Sequence, residues 1–372
     1  LITINGDMAK VIISGGGTGG HIYPAISIAN ALKKADSNIE ILFVGAEGKM
    51  EMEKVPAAGY DIIGLPVSGI QRRLTLKNLA VPFKLIKCIN RANAIIKSFK
   101  PNVAVGVGGY ASGPLLRQAA NKGIPTVLQE QNSYAGLTNK LLAKKAKVIC
   151  VAYEGMERFF PKEKIIVTGN PIRQDLYDLE SIHVEAKEFF KLNPLKKTVL
   201  LLGGSLGART MNESVLAAMD LLKSAGVQLI WQTGKYYYQK ALDEWSKYNN
   251  DDIKVYDFIY RMDYAYAAAD VVISRAGAGT ISELCMVGKP CILVPSPNVS
   301  DDHQTKNAMA LVNKQAALLV HDVEARQRLI TSTLELLNDE ELGRNLSINI
   351  KKLAMPDAAN RIVAEILKLI NK

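Results

Sequence analysis

Twice in this chain a short run rich in β-branched residues ends in a cluster of glycines and gives way to a helical pattern. Val11–Ser14 leads into Gly15-Gly-Gly-Thr-Gly-Gly20, with a helix predicted over Pro24–Lys34. Thr198–Leu202 leads into Gly203-Gly-Ser-Leu-Gly-Ala208, with a helix predicted over Met211–Lys223. A strand, a tight glycine turn and a helix open a parallel βαβ unit. Strands over Ile39–Gly45, Val103–Val107 and Thr126–Leu128 extend the first set. Val227–Gln232, Lys254–Tyr256, Val271–Ser274 and Cys291–Val294 extend the second. The restart predicts an α/β fold of two Rossmann-like domains with parallel sheets, for which 372 residues suffice. Turn residues collect at Gly169-Asn170-Pro171, so the expected domains are 8–169 and 170–356. In the remaining segment, 357–372, Ala358, Ile362, Val363, Ile366, Leu367 and Ile370 share one helical face, expected to pack back on the first domain.

Composition narrows the class. Apolar residues make up 48% and charged residues 22%, which suits a chain with a sizeable core. No apolar run approaches the ~20 residues that span a bilayer. Leu1–Asp7 is neither basic nor long enough for a secretion signal, so a cytosolic setting is expected. Cys88, Cys150, Cys285 and Cys291 lack metal-site spacing and are expected to be buried free thiols. The net charge of +10 is concentrated: between Asp61 and Glu130 there is no acidic residue, while Arg72, Arg73, Lys77, Lys84, Lys87, Arg91, Lys97, Lys100, Arg117 and Lys122 fall there. Such a field calls for an anionic partner: nucleic acid, acidic lipid or a phosphorylated substrate.

Three glycine turns are candidate ligand loops. Gly15, Gly17 and Gly20 fit GxGxxG, where helix-start amides can hold a phosphate. The competing readings are a plain strand-to-helix turn, or nicotinamide binding with Glu47 on a ribose. Arg275-Ala-Gly-Ala-Gly-Thr-Ile-Ser-Glu283 follows the strand Val271–Ser274 and opens a helix. There Gly277 and Gly279 allow close backbone approach, Thr280 and Ser282 offer hydroxyls, and Glu283 either caps the helix or accepts from a ribose diol. Gly203–Arg209 could bring the Ser205 hydroxyl to a phosphate. No stretch forms the GxxxxGK[ST] loop of a nucleotide triphosphatase.

Seven segments, GGGTGGHIYPA (Gly15–Ala25), GGYASGP (Gly108–Pro114), QEQN (Gln129–Asn132), GNPIR (Gly169–Arg173), GGSLGA (Gly203–Ala208), RAGAGTISE (Arg275–Glu283) and DDHQTKNA (Asp301–Ala308), occur in family order. Together they resemble the undecaprenyldiphospho-muramoylpentapeptide β-N-acetylglucosaminyltransferases of peptidoglycan synthesis. The resemblance runs from about Lys10 to the C-terminus. It implies a B-type glycosyltransferase fold, two sheets facing a cleft, with the nucleotide on the C-terminal domain and acceptor and membrane on the N-terminal one. It implies UDP-N-acetylglucosamine as donor and lipid I as acceptor, joined with inversion to give lipid II. The implied donor residues are Thr18, Gly19, Gly20, Asn132, Arg173, Ser205, Ile259 beside the uracil, Ala278, Gly279, Thr280, Ile281, Ser282, Glu283 at the ribose, and Gln304 at sugar hydroxyls. Gly17, Gly109 and Tyr110 are the implied acceptor residues. The implied location is the cytoplasmic face of the inner membrane.

Such a transfer needs a base for the attacking hydroxyl and stabilisation of the departing diphosphate. His21, directly after the glycine loop, is the first candidate base; its alternative is to orient the loop or donate to a phosphate. Glu130 is the second, with loop support as its alternative. Tyr110 either meets the acceptor or packs under its loop. No DxD sequence occurs, so no cofactor is required by the sequence and the metal requirement stays open. Leu74, Leu76, Leu79, Val81, Pro82, Phe83, Leu85 and Ile86 interleave with the cations of the acid-free window, as on a face that meets anionic lipid. The alternative is an ordinary packed helix with a solvated outer side. Nucleic acid is not expected, because no binding motif accompanies the charge. The rival classes are a nicotinamide oxidoreductase, a membrane-docked nucleotide-sugar sensor without turnover, a UDP-N-acetylglucosamine 2-epimerase and a diacylglycerol glycosyltransferase.

Overall fold

The computed structural model describes residues 3–4, 7–67, 81–173, 176, 178–204, 207–248, 251–299 and 302–371, with the side chains of 3, 4, 7 and 81–85 outside that description. The chain divides into two compact units, Leu1–Ile172 with Met355–Lys372, and Arg173–Ala354. Against the sequence-derived limits, the first junction lies three residues later, and the second falls before Met355.

The first unit starts with a short antiparallel pair, β1 (Thr3–Ile4) and β2 (Asp7–Met8). Then β3 (Lys10–Gly15), α1 (Gly19–Ala35), β4 (Glu40–Ala46), α2 (Glu51–Ala57) and β5 (Ile62–Leu65) follow. The unit continues with α3 (Val81–Phe99), β6 (Val103–Gly108), α4 (Ser112–Asn121), β7 (Thr126–Glu130), α5 (Leu137–Leu142), β8 (Val148–Val151) and β9 (Ile165–Val167). Seven parallel strands stand in the order β5-β4-β3-β6-β7-β8-β9. Strand order reverses between β3 and β6, and ligands of open parallel sheets lie at the carboxyl ends of strands flanking such a reversal.

The strands are buried on both faces, which is why they read as apolar runs rather than alternating ones. Val11 and Ile13 of β3 face a core shared with Ile22, Ile28 and Leu32 of α1 and with Ile362, Val363, Ile366 and Ile370 of α15 (Ala358–Ile370). Ile12 and Val44 face the other core, made with Cys88 and Ala92 of α3, Leu115 and Leu116 of α4, and Leu142 of α5. The amphipathic face of α15 thus closes the side of the sheet that α1 covers.

The second unit holds α6 (His183–Phe189), β10 (Thr198–Leu202), α7 (Arg209–Ala217), α8 (Met219–Ala225), β11 (Gln228–Gln232), α9 (Tyr238–Ser246), β12 (Ile253–Tyr256) and α10 (Met262–Ala268). It ends with β13 (Val271–Ser274), α11 (Ala278–Val287), β14 (Cys291–Leu293), α12 (His303–Val312), β15 (Leu318–Leu319), α13 (Ala325–Asn338) and α14 (Glu340–Lys351). Its six strands are parallel in the order β12-β11-β10-β13-β14-β15, with the reversal between β10 and β13. Trp231 is fully buried in its core, and the indole N–H donates to Asn212 Oδ1 at 2.9 Å.

Two expected helices differ. The first helix begins at Gly19, five residues before Pro24, so the proline sits inside it. Glycines are poor helix formers on their own, but burial of Ile22 against the sheet carries the helix back to them. The helix expected over Met211–Lys223 breaks at Ala218, whose φ of −118° separates α7 from α8. All four cysteines are buried and unbridged. Burial pushes the Cys150 thiol up to about 12, so it stays protonated and inert.

The α15 seam makes a test. Ile362 is fully buried, and Ile362→Ala should cost about 2–5 kcal/mol. Urea unfolding followed by circular dichroism reads the loss, and an unshifted midpoint would remove α15 from the first core.

Candidate functional site

In the first unit, both turns that leave the strand reversal are glycine-rich, and they pack against each other. A Cβ on Gly109 would lie 2.4 Å from the Gly16 carbonyl oxygen, and one on Gly108 would lie 2.8 Å from the His21 ring. Gly108 and Gly109 have φ of +96° and +87°, a region that favours glycine. Ser112 locks this contact from below, its hydroxyl lying 2.7 Å from Ser14 O and 2.9 Å from Gly108 O.

His21 sits in the first turn of α1. Its Nδ1 lies 3.1 Å from Gly16 O and 3.3 Å from Thr18 Oγ1. A carbonyl can only accept, so the bond to Gly16 puts the proton of a neutral ring on Nδ1 and makes Nε2 the basic nitrogen. Nε2 lies beside Gly108, where a side chain would fill the space around it. Thr18 is the helix cap, and His21 N and Ile22 N both donate to its carbonyl at 3.1 and 3.2 Å. The amides of Thr18, Gly19 and Gly20 have no acceptor among the described residues, and amides at a helix start suit an anion.

Gly17 is different. Its amide already donates to Glu51 Oε2 at 2.9 Å, while Ala46 N donates to Glu51 Oε1 at 2.9 Å. Glu51 is fully buried, and a Cβ on Gly16 would lie 2.1 Å from Oε1. The Gly17 amide expected for the acceptor is therefore turned inward, and an anion there would use the amides that follow. Sequence reasoning missed Glu51, because nothing in the run Lys49-Met50-Glu51 marks a carboxylate that folds under a loop over thirty residues away.

Glu130 closes β7 with a buried carboxylate. It accepts from Gly136 N at 3.0 Å, Asn139 Nδ2 at 2.9 Å, Asn132 N at 3.1 Å and Asn132 Nδ2 at 3.3 Å. Four donors on one carboxylate are the arrangement of a loop staple, and of the two readings of Glu130 the geometry favours loop support. Asn132 is held by the same carboxylate. Tyr110 is 56% exposed, so it does not pack beneath its loop. Glu47, the ribose carboxylate of the nicotinamide alternative, is paired with Arg91 at 3.1 Å.

The second unit repeats the plan. The turns after β10 and β13 leave its strand reversal. A Cβ on Gly207 would lie 2.2 Å from Thr233 O, and Gly207 has φ +81°. Ser205 lies outside the described residues. In the turn after β13, Gly277 caps α11 and receives Ile281 N at 2.9 Å, so Ala278, Gly279 and Thr280 supply the helix-start amides. Among the described residues, no neighbour comes within 4 Å of the place a Gly279 Cβ would occupy. Ile281 is 2% exposed and packs inward, and the Ser282 hydroxyl donates to Ala278 O at 3.1 Å.

Glu283 is half-buried, and the hydroxyl of fully buried Tyr266 donates to its Oε2 at 3.1 Å. Burial and the adjoining carboxylate push the Tyr266 phenol well above its ordinary value, so it stays a donor; the charge of half-buried Arg173 opposes the shift. Tyr266 also went unseen in the sequence, among the alanines of α10. Ile259 is 3% exposed, and its amide donates to Gln232 Oε1 at 2.9 Å. Gln304 Oε1 accepts from Ser296 N at 2.8 Å. Arg275 spans Val294 O at 3.0 Å and Asp322 at 2.5 Å, so it holds its turn in place. Among the described residues, no group of three His, Cys, Asp or Glu side chains is placed to hold a metal.

Comparisons with known proteins follow the same division. The glycosyltransferase family 28 N-terminal domain matches residues 11–151, and the family 28 C-terminal domain matches 198–362. The UDP-N-acetylglucosamine–N-acetylmuramyl-(pentapeptide) pyrophosphoryl-undecaprenol N-acetylglucosamine transferase of Parabacteroides distasonis is 58% identical over 98% of this chain and 99% of its own length. That of Cytophaga hutchinsonii is 57% identical over 97% of each. The crystal structure of Acinetobacter baumannii MurG has a TM-score of 0.77 at 28% identity, covering 97% of this chain and 99% of that one. A UDP-GlcNAc 2-epimerase from Neisseria meningitidis bound to UDP-GlcNAc has a TM-score of 0.67 at 16% identity, covering 96% and 100%; it shares the fold.

The contact between the two turns of the first unit can be tested by a matched pair. Gly109→Ala meets both the unfavourable φ and the Gly16 carbonyl, and should cost about 2–4 kcal/mol. Gly59 has φ +86° with open space around it, so Gly59→Ala should cost about 1 kcal/mol. Equal shifts in thermal midpoint would mean the turns do not touch.

Proposed function

Because the chain belongs to glycosyltransferase family 28, we propose that it transfers N-acetylglucosamine from its UDP ester to the 4-hydroxyl of the muramoyl sugar of lipid I, giving lipid II with inversion. The relatives that cover nearly the whole chain carry this activity in their names. The observation that supports the reading is His21, with Nδ1 on Gly16 O and Nε2 beside Gly108, in the first turn of the helix whose Thr18–Gly20 amides suit an anion. A base and an anion-holding turn then share one helix start.

The acceptor hydroxyl attacks the anomeric carbon and gives its proton to His21 Nε2. The new bond is from that oxygen to C1. The bond from C1 to the diphosphate oxygen breaks, and its electron pair leaves with UDP. Charge grows on the diphosphate as the sugar gains oxocarbenium character. In the second unit, the amides of Ala278, Gly279 and Thr280, with Arg173 and the Ser205 hydroxyl, are the proposed donors to that charge. Helix-start amides are worth about 0.3–1 kcal/mol at exposed sites and up to ~2 when partly buried. Glu283, oriented by Tyr266, accepts from the ribose, Ile259 lies beside the uracil, and Gln304 donates to the sugar. In the first unit, Thr18, Gly19, Gly20 and Asn132 are the residues proposed to contact the donor. Gly109 and Tyr110 line the acceptor side, and Gly17 serves it through its conformation.

The proposed membrane face lies on the first unit. No helix among the described residues is long and apolar enough to cross a membrane. Arg72, Arg73, Lys77, Leu74, Leu76 and Leu79 lie outside the described residues, as do the side chains of Val81, Pro82, Phe83, Lys84 and Leu85. On α3, Ile86 is 56% exposed; on α5, Leu137 and Leu141 are 69% and 74% exposed one turn apart. Exposed Lys144, Lys145 and Lys147 follow α5. Apolar tips beside cations suit an anionic lipid surface.

Three outcomes check these assignments. UDP should be released from UDP-N-acetylglucosamine only when a lipid I analogue is present; release without acceptor, or none with it, would count against the transferase. Tyr266→Phe should raise the donor KM several-fold with little change in kcat, as measured by initial rates. Joint Leu137→Glu and Leu141→Glu substitution should weaken sedimentation with anionic vesicles about tenfold or more, and unchanged sedimentation would place the membrane face elsewhere.

A further inference from the structure

The two hydrogen bonds of the first glycine turn share one peptide unit. Gly16 O accepts from His21 Nδ1, and Gly17 N, at the other end of the same amide, donates to Glu51. We propose that Glu51 is a positioning residue for the transfer reaction, polarising His21 through the Gly16–Gly17 peptide so that Nε2 is the stronger base. The inference rests on the family reading of His21 and deepens it.

Both Glu51 oxygens accept from backbone N–H groups, which is the pattern of a carboxylate. The charge is fully buried, where water does not screen it. Hydrogen bonds in series polarise one another, so an anion on the amide N–H makes the carbonyl a better acceptor for the imidazole proton. The bond direction also fixes which nitrogen is protonated. A side chain at Gly16 or Gly45 would strike the Glu51 side chain at 2.1 or 2.5 Å, so glycine at these positions makes room for it.

Other ionisable groups lie on the elements packed around α1. These are Lys10 on β3, Glu53 and Lys54 on α2, Arg361, Glu365 and Lys368 on α15, and Tyr110 after β6, which itself has none. Tyr23, Lys33 and Lys34 lie on α1. Lys10 pairs with Glu40 at 2.7 Å, Glu53 with Lys54 at 3.0 Å, and Lys368 with Glu365 at 2.6 Å. Glu51 is set apart by its route, through the amide whose carbonyl receives the imidazole.

The test compares wild type, Glu51→Gln, Glu51→Asp, His21→Ala and the Glu51→Gln/His21→Ala double variant. Rates are measured against pH, with histidine titrations followed by NMR. Loss of the carboxylate removes a charge that favours imidazolium, so the His21 midpoint should fall by about one pH unit, a tenfold change in proton affinity. The acid limb of kcat should move down with it, and the plateau should fall roughly tenfold or more while the donor KM holds. Glu51→Asp, which keeps the charge, should recover the midpoint. The double variant should be no slower than His21→Ala. An unmoved midpoint, or losses that multiply, would reduce Glu51 to a structural staple. Should Glu51→Gln fail to fold, nitrogen shifts of wild-type His21 decide: the neutral ring must carry its proton on Nδ1, and an Nε2–H ring overturns the proposal. Absent UDP release would instead sink the transferase reading, while the NMR titration still reports on the Glu51–His21 link.

Discussion

Much of the first unit's chemistry depends on which way the Gly16–Gly17 peptide faces. Its carbonyl points to His21 and its N–H to Glu51, and reversing it would break both bonds at once. A buried carboxylate without amide donors would be costly. The turn and the Glu51 side chain therefore hold each other: the carboxylate needs the Gly17 and Ala46 amides, and the glycines need a partner that keeps one conformation. The helix-start amides that follow are then placed without an acceptor of their own among the described residues. Ser112 reinforces the arrangement from the neighbouring turn, bridging Ser14 O and Gly108 O.

The second unit solves the same problem with different groups. Its turn after β13 is held by Arg275, whose guanidinium reaches backbone carbonyls beyond β14 and Asp322. Its turn after β10 is held by close backbone contact between Gly207 and Thr233. Glu283 accepts from a buried phenol. In the first unit the supporting Glu51 and Ser112 side chains are buried, in the second Arg275 is part-buried, and in both the turn leads into a helix start whose amides suit an anion. This division follows from topology. Turns at a strand reversal are open on their outer side, where no neighbouring connection covers them, and are packed on their inner side.

Glu130 and Glu51 illustrate how burial separates carboxylate roles. Each ends up with backbone amides as partners, but Glu130 gathers four donors from the loop that follows it and from α5. Glu51 joins segments more than thirty residues apart. The first stiffens a local turn. The second links a helix to a distant loop and, through it, to an imidazole.

Much of this was legible in the sequence. Apolar runs followed by glycine turns announced two parallel sheets, because strands buried on both faces must be apolar and only glycine tolerates the turn conformations. The seven motif segments named the family and put His21, Thr280 and Glu283 forward as candidates. The start of α1 was not legible, since glycine and proline weigh against helix until Ile22 is buried on the sheet. Short strands such as β5, β9 and β15 gave too few residues for a period. Glu51 and Tyr266 escaped for a single reason: each is defined by a partner distant in the chain. Periodicity and turn chemistry are local properties, so the sequence alone determined the elements, their class and the glycine turns. Which buried carboxylate or phenol reaches a turn depends on chain segments brought together only by packing, and tertiary structure alone decided that.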